Sequence, residues 1–335
     1  IGSELCRQII LAKPSKLILI DNSEFNLYSI EMELMEIAKK SEIIIDISSL
    51  LTSIVQEEEI NSIFEKFKPE YVLHAAAYKH VPMLEKNIFA SIKNNLFGTI
   101  NLVNSSHKYG VKEFLFVSSD KAVRPTNIMG ASKRISELIV QGFSEKTIQK
   151  GNNTETIYSM VRFGNVLKSS GSVVPLFKKQ IQNGGPVTIT HPEITRYFMT
   201  INEAALLVLE TSIIAEGGEI YLLDMGKPIK IKELATEMIR KSGLSLKDGQ
   251  NPNGDIEIIS TGLRPGEKLY EELLVDARAE KTSHPLIYRA NEKFIVLSDL
   301  EEKLDELDQS IKKQDLKKTY EIMLSLVPEM KRIKN

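Results

Sequence analysis

Residues 114–143 constrain the fold of this chain more tightly than any other segment. Phe114-Leu115-Phe116-Val117 is a short apolar run, rich in aromatic and β-branched side chains and without polar alternation. Such a run predicts a strand buried on both faces, as in a parallel sheet, with its carboxyl end at Ser118 to Asp120. Arg124-Pro125-Thr126-Asn127 then supplies a turn. Thr126 or Asn127 can cap the following helix, whose buried side is marked by Ile135, Leu138, Ile139 and Phe143. Met129 and Lys133 are four apart, so they share one face near the helix start and look back at the strand end. In open α/β sheets that end is where ligands bind. Apolar strands alternating with helical patterns along the rest of the chain point to the same α/β class.

At 335 residues, 42% of them hydrophobic, the chain can bury one large core or a large and a small one. The net charge is −2, with 43 basic and 45 acidic residues intermixed, so no basic stripe offers itself to nucleic acid. An anionic ligand must therefore be met by local cations. The single cysteine, Cys6, excludes an internal disulfide and is expected to pack on the first helix. No apolar run reaches the roughly eighteen residues of a transmembrane helix, and no signal peptide is visible, so no membrane contact is expected from these residues themselves.

The beginning reads as the second half of a dinucleotide-binding βαβ unit. A helical pattern (Leu5, Ile9, Ile10) is followed by a turn at Lys13-Pro14-Ser15 and the strand Leu17–Ile20, closing on Asp21. An acidic residue about 20 positions after a glycine at a helix start is the spacing that places a carboxylate on a ribose hydroxyl. Gly2 would be the last glycine of the phosphate loop. The preceding strand and the other glycines are then expected upstream of residue 1, in a natural protein that extends further. Without that central strand its two neighbours would lack a ladder partner. Asp21 in this position favours NAD over NADP; a turn or capping role is its competitor.

Glu42–Ile47 and Tyr71–Ala77 read as the next strands. Asp46 either bonds the adenine amino group or is a surface carboxylate at a strand end. Ala75, Ala76 and Ala77 either let a flat cofactor approach the backbone or simply pack tightly. The helix from about Ile88 to Lys108 carries Asn94 and Asn95 within an apolar surface, as structural glue or as organisers of a catalytic site. After the strand Ile157–Phe163 the texture changes to short strands and glycine- and proline-rich loops. Three parts are expected: a Rossmann-like doubly wound parallel sheet over 1–165, a smaller substrate lobe over 166–298 with some segments returning to the sheet, and charged helices over 299–335 forming a solvated outer pair. Arg196 and Arg264 are the best candidates for clamping a diphosphate, because guanidinium forks match phosphate oxygens; each taken alone is more often a surface arginine.

Five ordered motifs carry a resemblance: Ala76 to Pro82 (AAYKHVP), Ser118 to Lys133 (SSDKAVRPTNIMGASK), Arg162 to Leu167 (RFGNVL), Thr195 to Thr200 (TRYFMT) and Thr261 to Leu269 (TGLRPGEKL). From residue 1 to about 275 the chain resembles the nucleotide-sugar 4,6-dehydratases of the extended short-chain dehydrogenase/reductase family. Within them it is similar to the long, membrane-anchored subgroup acting on UDP-N-acetylglucosamine, in which methionine, here Met129, replaces the usual tyrosine. The resemblance implies C4 oxidation by hydride transfer to NAD(P), loss of the C5 proton, expulsion of the C6 hydroxyl as water and return of the hydride to C6, with no metal. It also implies a cytoplasmic-face enzyme tethered to the bacterial inner membrane by an upstream segment, and a homo-oligomer.

On these positions the resemblance implies roles. With Met129 unable to exchange a proton, Asp120 is the acid/base for oxygen and Lys121 the base for C5. Ser119 bonds O4, Lys133 holds the nicotinamide ribose, and Asn95 supports Lys133 through water. Lys79, His80, Asn165 and Glu267 fall with Arg196 and Arg264 on the substrate side. A free lysine titrates at about 10.4, so a Lys121 base near neutrality needs a depression of about three units, roughly 4 kcal/mol. Asp120 and Lys121 should then titrate as a pair. For an isolated Asp-Lys dipeptide the plain reading is a salt-bridged turn. A 4-epimerase, or a non-catalytic nucleotide-sugar or dinucleotide-binding module, are the other functional classes open to such a chain.

Overall fold

The computed structural model describes residues 1–150, 156–167, 169, 171–274, 279–292 and 295–331. Five strands carry the first half: β1 (Lys16–Asp21), β2 (Asp46–Leu51), β3 (Tyr71–His74), β4 (Glu113–Val117) and β5 (Ile157–Arg162). β3, β4 and β5 pair in parallel, and the later strand Ile220–Leu223 extends them in parallel beyond β5. Ile287–Ala290 adds antiparallel to Ile220–Leu223, and Glu280–Lys281, antiparallel to Ile287–Ala290, completes this six-stranded sheet as an edge strand. β1 and β2 form a separate parallel pair, so among the described residues β1 pairs only with β2 and β3 only with β4.

β4 is buried along its whole length, as its unbroken apolar run requires, with the helices Gly98–Lys108 and Ile128–Lys150 in the same core. On the other face Leu115 and Val117 pack with Leu5 of the helix Gly2–Leu11, with Ile1 just before it, and with Ala204, Leu207 and Val208 of the helix Ile201–Ile214. This is the Rossmann-like α/β layering. A third cluster, from the helices Val173–Gln182 and Ile231–Lys241 and the small sheet around Ile256–Ser260, forms the core of a smaller lobe. No helix among the described residues is long and apolar enough to cross a membrane.

Three local expectations change. β2 starts four residues later than the isoleucine run suggested. Ile43 packs under the helix Glu24–Lys40 while Ile44 is 98% exposed, and the register with β1 selects Asp46–Leu51 instead. The expected long helix over 88–108 contains one π-helical turn, Lys93–Phe97, centred on the two asparagines. The terminal helices Leu297–Lys312 and Leu316–Leu326 are not a solvated pair: Leu300, Leu304, Leu307, Ile311, Ile322 and Met323 join the core under the helix Ile128–Lys150. Their charged residues mask an apolar stripe of helical period, which needs a partner face.

Candidate active site

At the end of β4 the Ser118 amide still bonds Val161 on β5, at 2.8 Å. Ser119 then turns out of the sheet, and Asp120–Ala122 form a single 3₁₀ turn on the Ser119 cap. The Asp120 amide donates to the Phe163 carbonyl at 3.1 Å, which draws the turn across the end of β5. The Asp120 carboxyl is 1% exposed. Its Oδ1 accepts from Ser119 Oγ and from Lys121 Nζ, both at 2.9 Å, while Oδ2 has no hydrogen-bond partner. Gly164 makes room for that free oxygen: a Cβ there would stand 3.1 Å from Oδ2 and 3.3 Å from the Tyr197 Cβ.

Asn127 caps the next helix, its Oδ1 accepting from the Gly130 amide at 2.8 Å. Thr126 Oγ1 and Asn127 Nδ2 both donate to the Gly266 carbonyl, joining this loop to the Thr261–Leu269 segment. A Cβ on Gly130 would lie 2.1 Å from the Lys121 carbonyl oxygen, so only glycine lets the helix press against the Asp120–Ala122 turn. Met129 is buried there. Lys133 is 5% exposed; its Nζ donates to the Val117 carbonyl at 2.8 Å and lies 4.3 Å from the centre of the Phe116 ring. Burial pulls the Lys133 ammonium down to about 7, against the opposing pull of Glu137.

Lys121 Nζ also lies 3.4 Å from Asn165 Oδ1 and 3.9 Å from Glu271 Oε1. Burial works against its charge, but Asp120 and then Glu271 outweigh it, so Lys121 is pushed above the ordinary lysine value. The lowered Lys121 that base chemistry asks for is thus absent from the free site. The larger reason is the neighbouring Asp120, joined by a second carboxylate far down the chain, Glu271, which the sequence did not single out. Glu271 is itself buried, and burial raises it, against Lys121 and with Asp120.

Asn95 sits in the π-helical turn. Its Oδ1 accepts from the Tyr78 amide at 2.8 Å and its Nδ2 donates to the Tyr78 carbonyl at 2.9 Å, pinning the loop after β3. It reaches Ser132, the neighbour of Lys133, at 3.4 Å. That loop places Ala77, Lys79 and His80 on a cavity of about 470 Å³, with Tyr78 and Met83. The His80 ring lies against Gly171 of the smaller lobe, whose φ of +67° suits a glycine.

Arg196 is buried with its guanidinium engaged: Nη1 donates to the Thr195 and Leu269 carbonyls and Nη2 to the Lys268 carbonyl, with Glu271 at 3.8 Å from Nε. Its guanidinium thereby ties the 267–271 loop to the strand Thr195–Arg196. Arg264 is exposed at the tip of that loop. Glu267 accepts from Thr190 Oγ1, Arg196 Nη2 and the Arg264 amide. Below the site, fully buried Arg162 is bidentate to both Glu137 and Glu292, and Ser118 Oγ donates to Glu137 at 2.6 Å. Arg134 extends this network to Glu329 near the C-terminal end. The sequence marked Arg162 only as part of a motif.

On the cofactor side, Asp21 ends β1 and accepts from the Ser23 amide at 2.8 Å. Gly2 opens the first helix, with nothing within 4 Å of the position a Cβ would take. Leu5 of that helix and Ile1 just before it share a cluster with Ala75 and Val117, so its start lies beside the ends of β3 and β4. A helix start, open space at its glycine, a strand-end carboxylate and small residues fit the ends of a dinucleotide. Asp46 does not join them. It opens β2 at the far end from Asp21 and is ion-paired to Lys16 at 2.8 Å.

A polysaccharide biosynthesis protein family model matches residues 1–292. The capsular polysaccharide biosynthesis protein CapD of Staphylococcus aureus is 48% identical over 274 residues, 82% of this chain but 43% of its own length; the chain thus spans less than half of that relative. A Campylobacter jejuni UDP-N-acetylglucosamine 4,6-dehydratase (inverting) is 35% identical over 61% of this chain and 56% of its own. A Rickettsia rickettsii UDP-glucose 4-epimerase is 34% identical over 61% and 55%. Among solved structures, Pen from Bacillus thuringiensis superposes with a TM-score of 0.73 at 31% identity, covering 92% of this chain and 96% of that one. With the buried Asp120-Lys121 turn, the Rossmann-like sheet and a family match over most of its length, this chain belongs to the polysaccharide biosynthesis protein family.

Proposed function

We propose that the protein is a nucleotide-sugar 4,6-dehydratase that converts UDP-N-acetylglucosamine to its 4-keto-6-deoxy derivative. The observation that carries this reading is buried Asp120 paired with half-buried Lys121 at the start of the helix that carries Met129: a carboxyl with one free oxygen and an amine, near a residue that cannot exchange protons. Elimination across C5 and C6 needs a base for carbon and an acid for oxygen, and this turn carries both. A simple epimerisation at C4 needs a group for the O4 proton but no base for C5 and no acid for O6.

Bound NAD supplies the acceptor and donor of the hydride. Asp21 would hold its adenosine ribose, and Lys133, above Phe116, its nicotinamide ribose. Asp120 Oδ2, facing the space left by Gly164, gives or takes the proton on the sugar oxygens, with Ser119 beside it as a second donor. Lys121 takes the C5 proton once its own charge is released; protonation of Asp120 removes the nearer counter-charge and favours that release. Asn165 steadies the Lys121 amine, and exposed Arg264 would meet the diphosphate. The same reading sets the enzyme at the cytoplasmic face of the membrane, held by chain beyond these residues, which the greater length of CapD supports.

The test is incubation with UDP-N-acetylglucosamine and NAD, followed by mass and NMR analysis of the product. The dehydratase reading expects a sugar nucleotide lighter by one water, with deuterium at C5 in heavy water, and loss of both in Asp120→Asn and Lys121→Met. A product of unchanged mass epimerised at C4 would favour the second reading, which the similarity to a UDP-glucose 4-epimerase keeps in view. Retained exchange in Lys121→Met would remove that lysine as the base.

A further inference from the structure

Glu271 is unused by the roles assigned so far, although it reaches the catalytic turn from a different part of the chain. Its Oε1 lies 3.9 Å from Lys121 Nζ and 3.8 Å from Arg196 Nε, and its Oε2 is buried with no hydrogen-bond partner. Asp120 presents a similar arrangement to the same ammonium, one oxygen on Nζ at 2.9 Å and one without a partner. Two buried carboxyls therefore bracket one ammonium, each with an unsatisfied oxygen, and an unsatisfied buried acceptor is costly when ionised. The charged groups facing Glu271 are Asp120 and Lys121 from the 3₁₀ turn, Arg196 from the strand Thr195–Arg196, and Lys268 from its own loop.

We propose that Glu271 is a positioning residue for Lys121: with Asp120 it holds the lysine in its ammonium form, and gain of a proton by Glu271 releases Lys121 to act as a base. The proposal rests on the dehydratase reading for its consequence, but the lysine–glutamate coupling itself does not need turnover. With both carboxylates ionised, Lys121 has two counter-charges and keeps its proton. A proton on Glu271 leaves only Asp120, and the amine is more easily freed. Burial, which raises Glu271, favours that proton, against the pull of Lys121 and Arg196. Arg196 opposes the change from the other side, and its hydrogen bonds to the 268 and 269 carbonyls keep Glu271 in place.

The experiment measures the pH dependence of Lys121 modification by an amine-selective acylating reagent in the ligand-free protein, read peptide by peptide by mass spectrometry. Glu271→Gln should move the Lys121 midpoint to lower pH by about one unit, the attraction at 3.9 Å in water-like surroundings, and by more if the site stays dry. Glu271→Leu removes the same charge without leaving an unpaired polar group, so it serves where Gln disturbs folding. Glu271→Asp, which keeps the charge, should move the midpoint less than either. The acidic limb of C5 deuterium exchange, which reports a group that must lose its proton to act, should shift with the midpoint. An unchanged or raised Lys121 midpoint in both neutral variants would overturn the proposal. Wild-type protein that never dehydrates UDP-N-acetylglucosamine would instead overturn the dehydratase reading, and the labelling would still decide the coupling.

Discussion

Lys133→Met isolates the energetic cost of keeping a lysine in the core beside Phe116. Burial lowers its ammonium from 10.5 to about 7 in the folded protein. Because the folded value is depressed, the unfolded chain binds more protons between those two pH values, and this group makes stability rise with pH across that window. Below pH 7 the full penalty of charging a buried amine is present. At about 1.36 kcal/mol per unit, the shift amounts to on the order of 5 kcal/mol. Methionine keeps the side-chain length and removes the charge, at the loss of one hydrogen bond to Val117, roughly 1 kcal/mol at any pH. Unfolding of wild type and variant by urea at a series of pH values, without ligand, gives a difference curve in which other groups cancel. The variant should gain on the wild type as pH falls from about 10 to 7, and the difference should level off below. Nicotinamide-dependent turnover should be lost in the same variant. Parallel stability curves would refute a buried, depressed Lys133.

Gly130→Ala places a methyl 2.1 Å from the Lys121 carbonyl, which neither backbone can yield, so stability should fall by about 1–3 kcal/mol or more and turnover with it; unchanged melting and turnover would contradict the close approach. Leu307→Ala, in the first terminal helix, should cost about 2–5 kcal/mol because its side chain is fully buried under the helix Ile128–Lys150. A loss below about 0.5 kcal/mol in thermal or urea unfolding would return that helix to the solvent.

Much of the fold was written in short-range pattern. The β4 run, the Asn127 cap, the face shared by Met129 and Lys133 and the Asp21 strand end all depend on residues a few positions apart, and periodicity and capping chemistry act over that range. The isoleucines at 43–45 misled because hydrophobicity alone does not say whether a residue meets a helix or a sheet; the register with β1 did. Likewise the terminal helices advertised charge, while their apolar stripe waited for a partner.

The sequence by itself determined the α/β class and the strand–turn–helix that carries Asp120, Lys121 and Lys133. Only the tertiary structure decided the electrostatics of that turn. Glu271 reaches Lys121 from a distant loop, Arg196 is taken up by carbonyls of that same loop, and Arg162 is locked between Glu137 and Glu292 beneath the site. Charge interactions depend on separation in space and on exclusion of water, and neither is a function of separation along the chain.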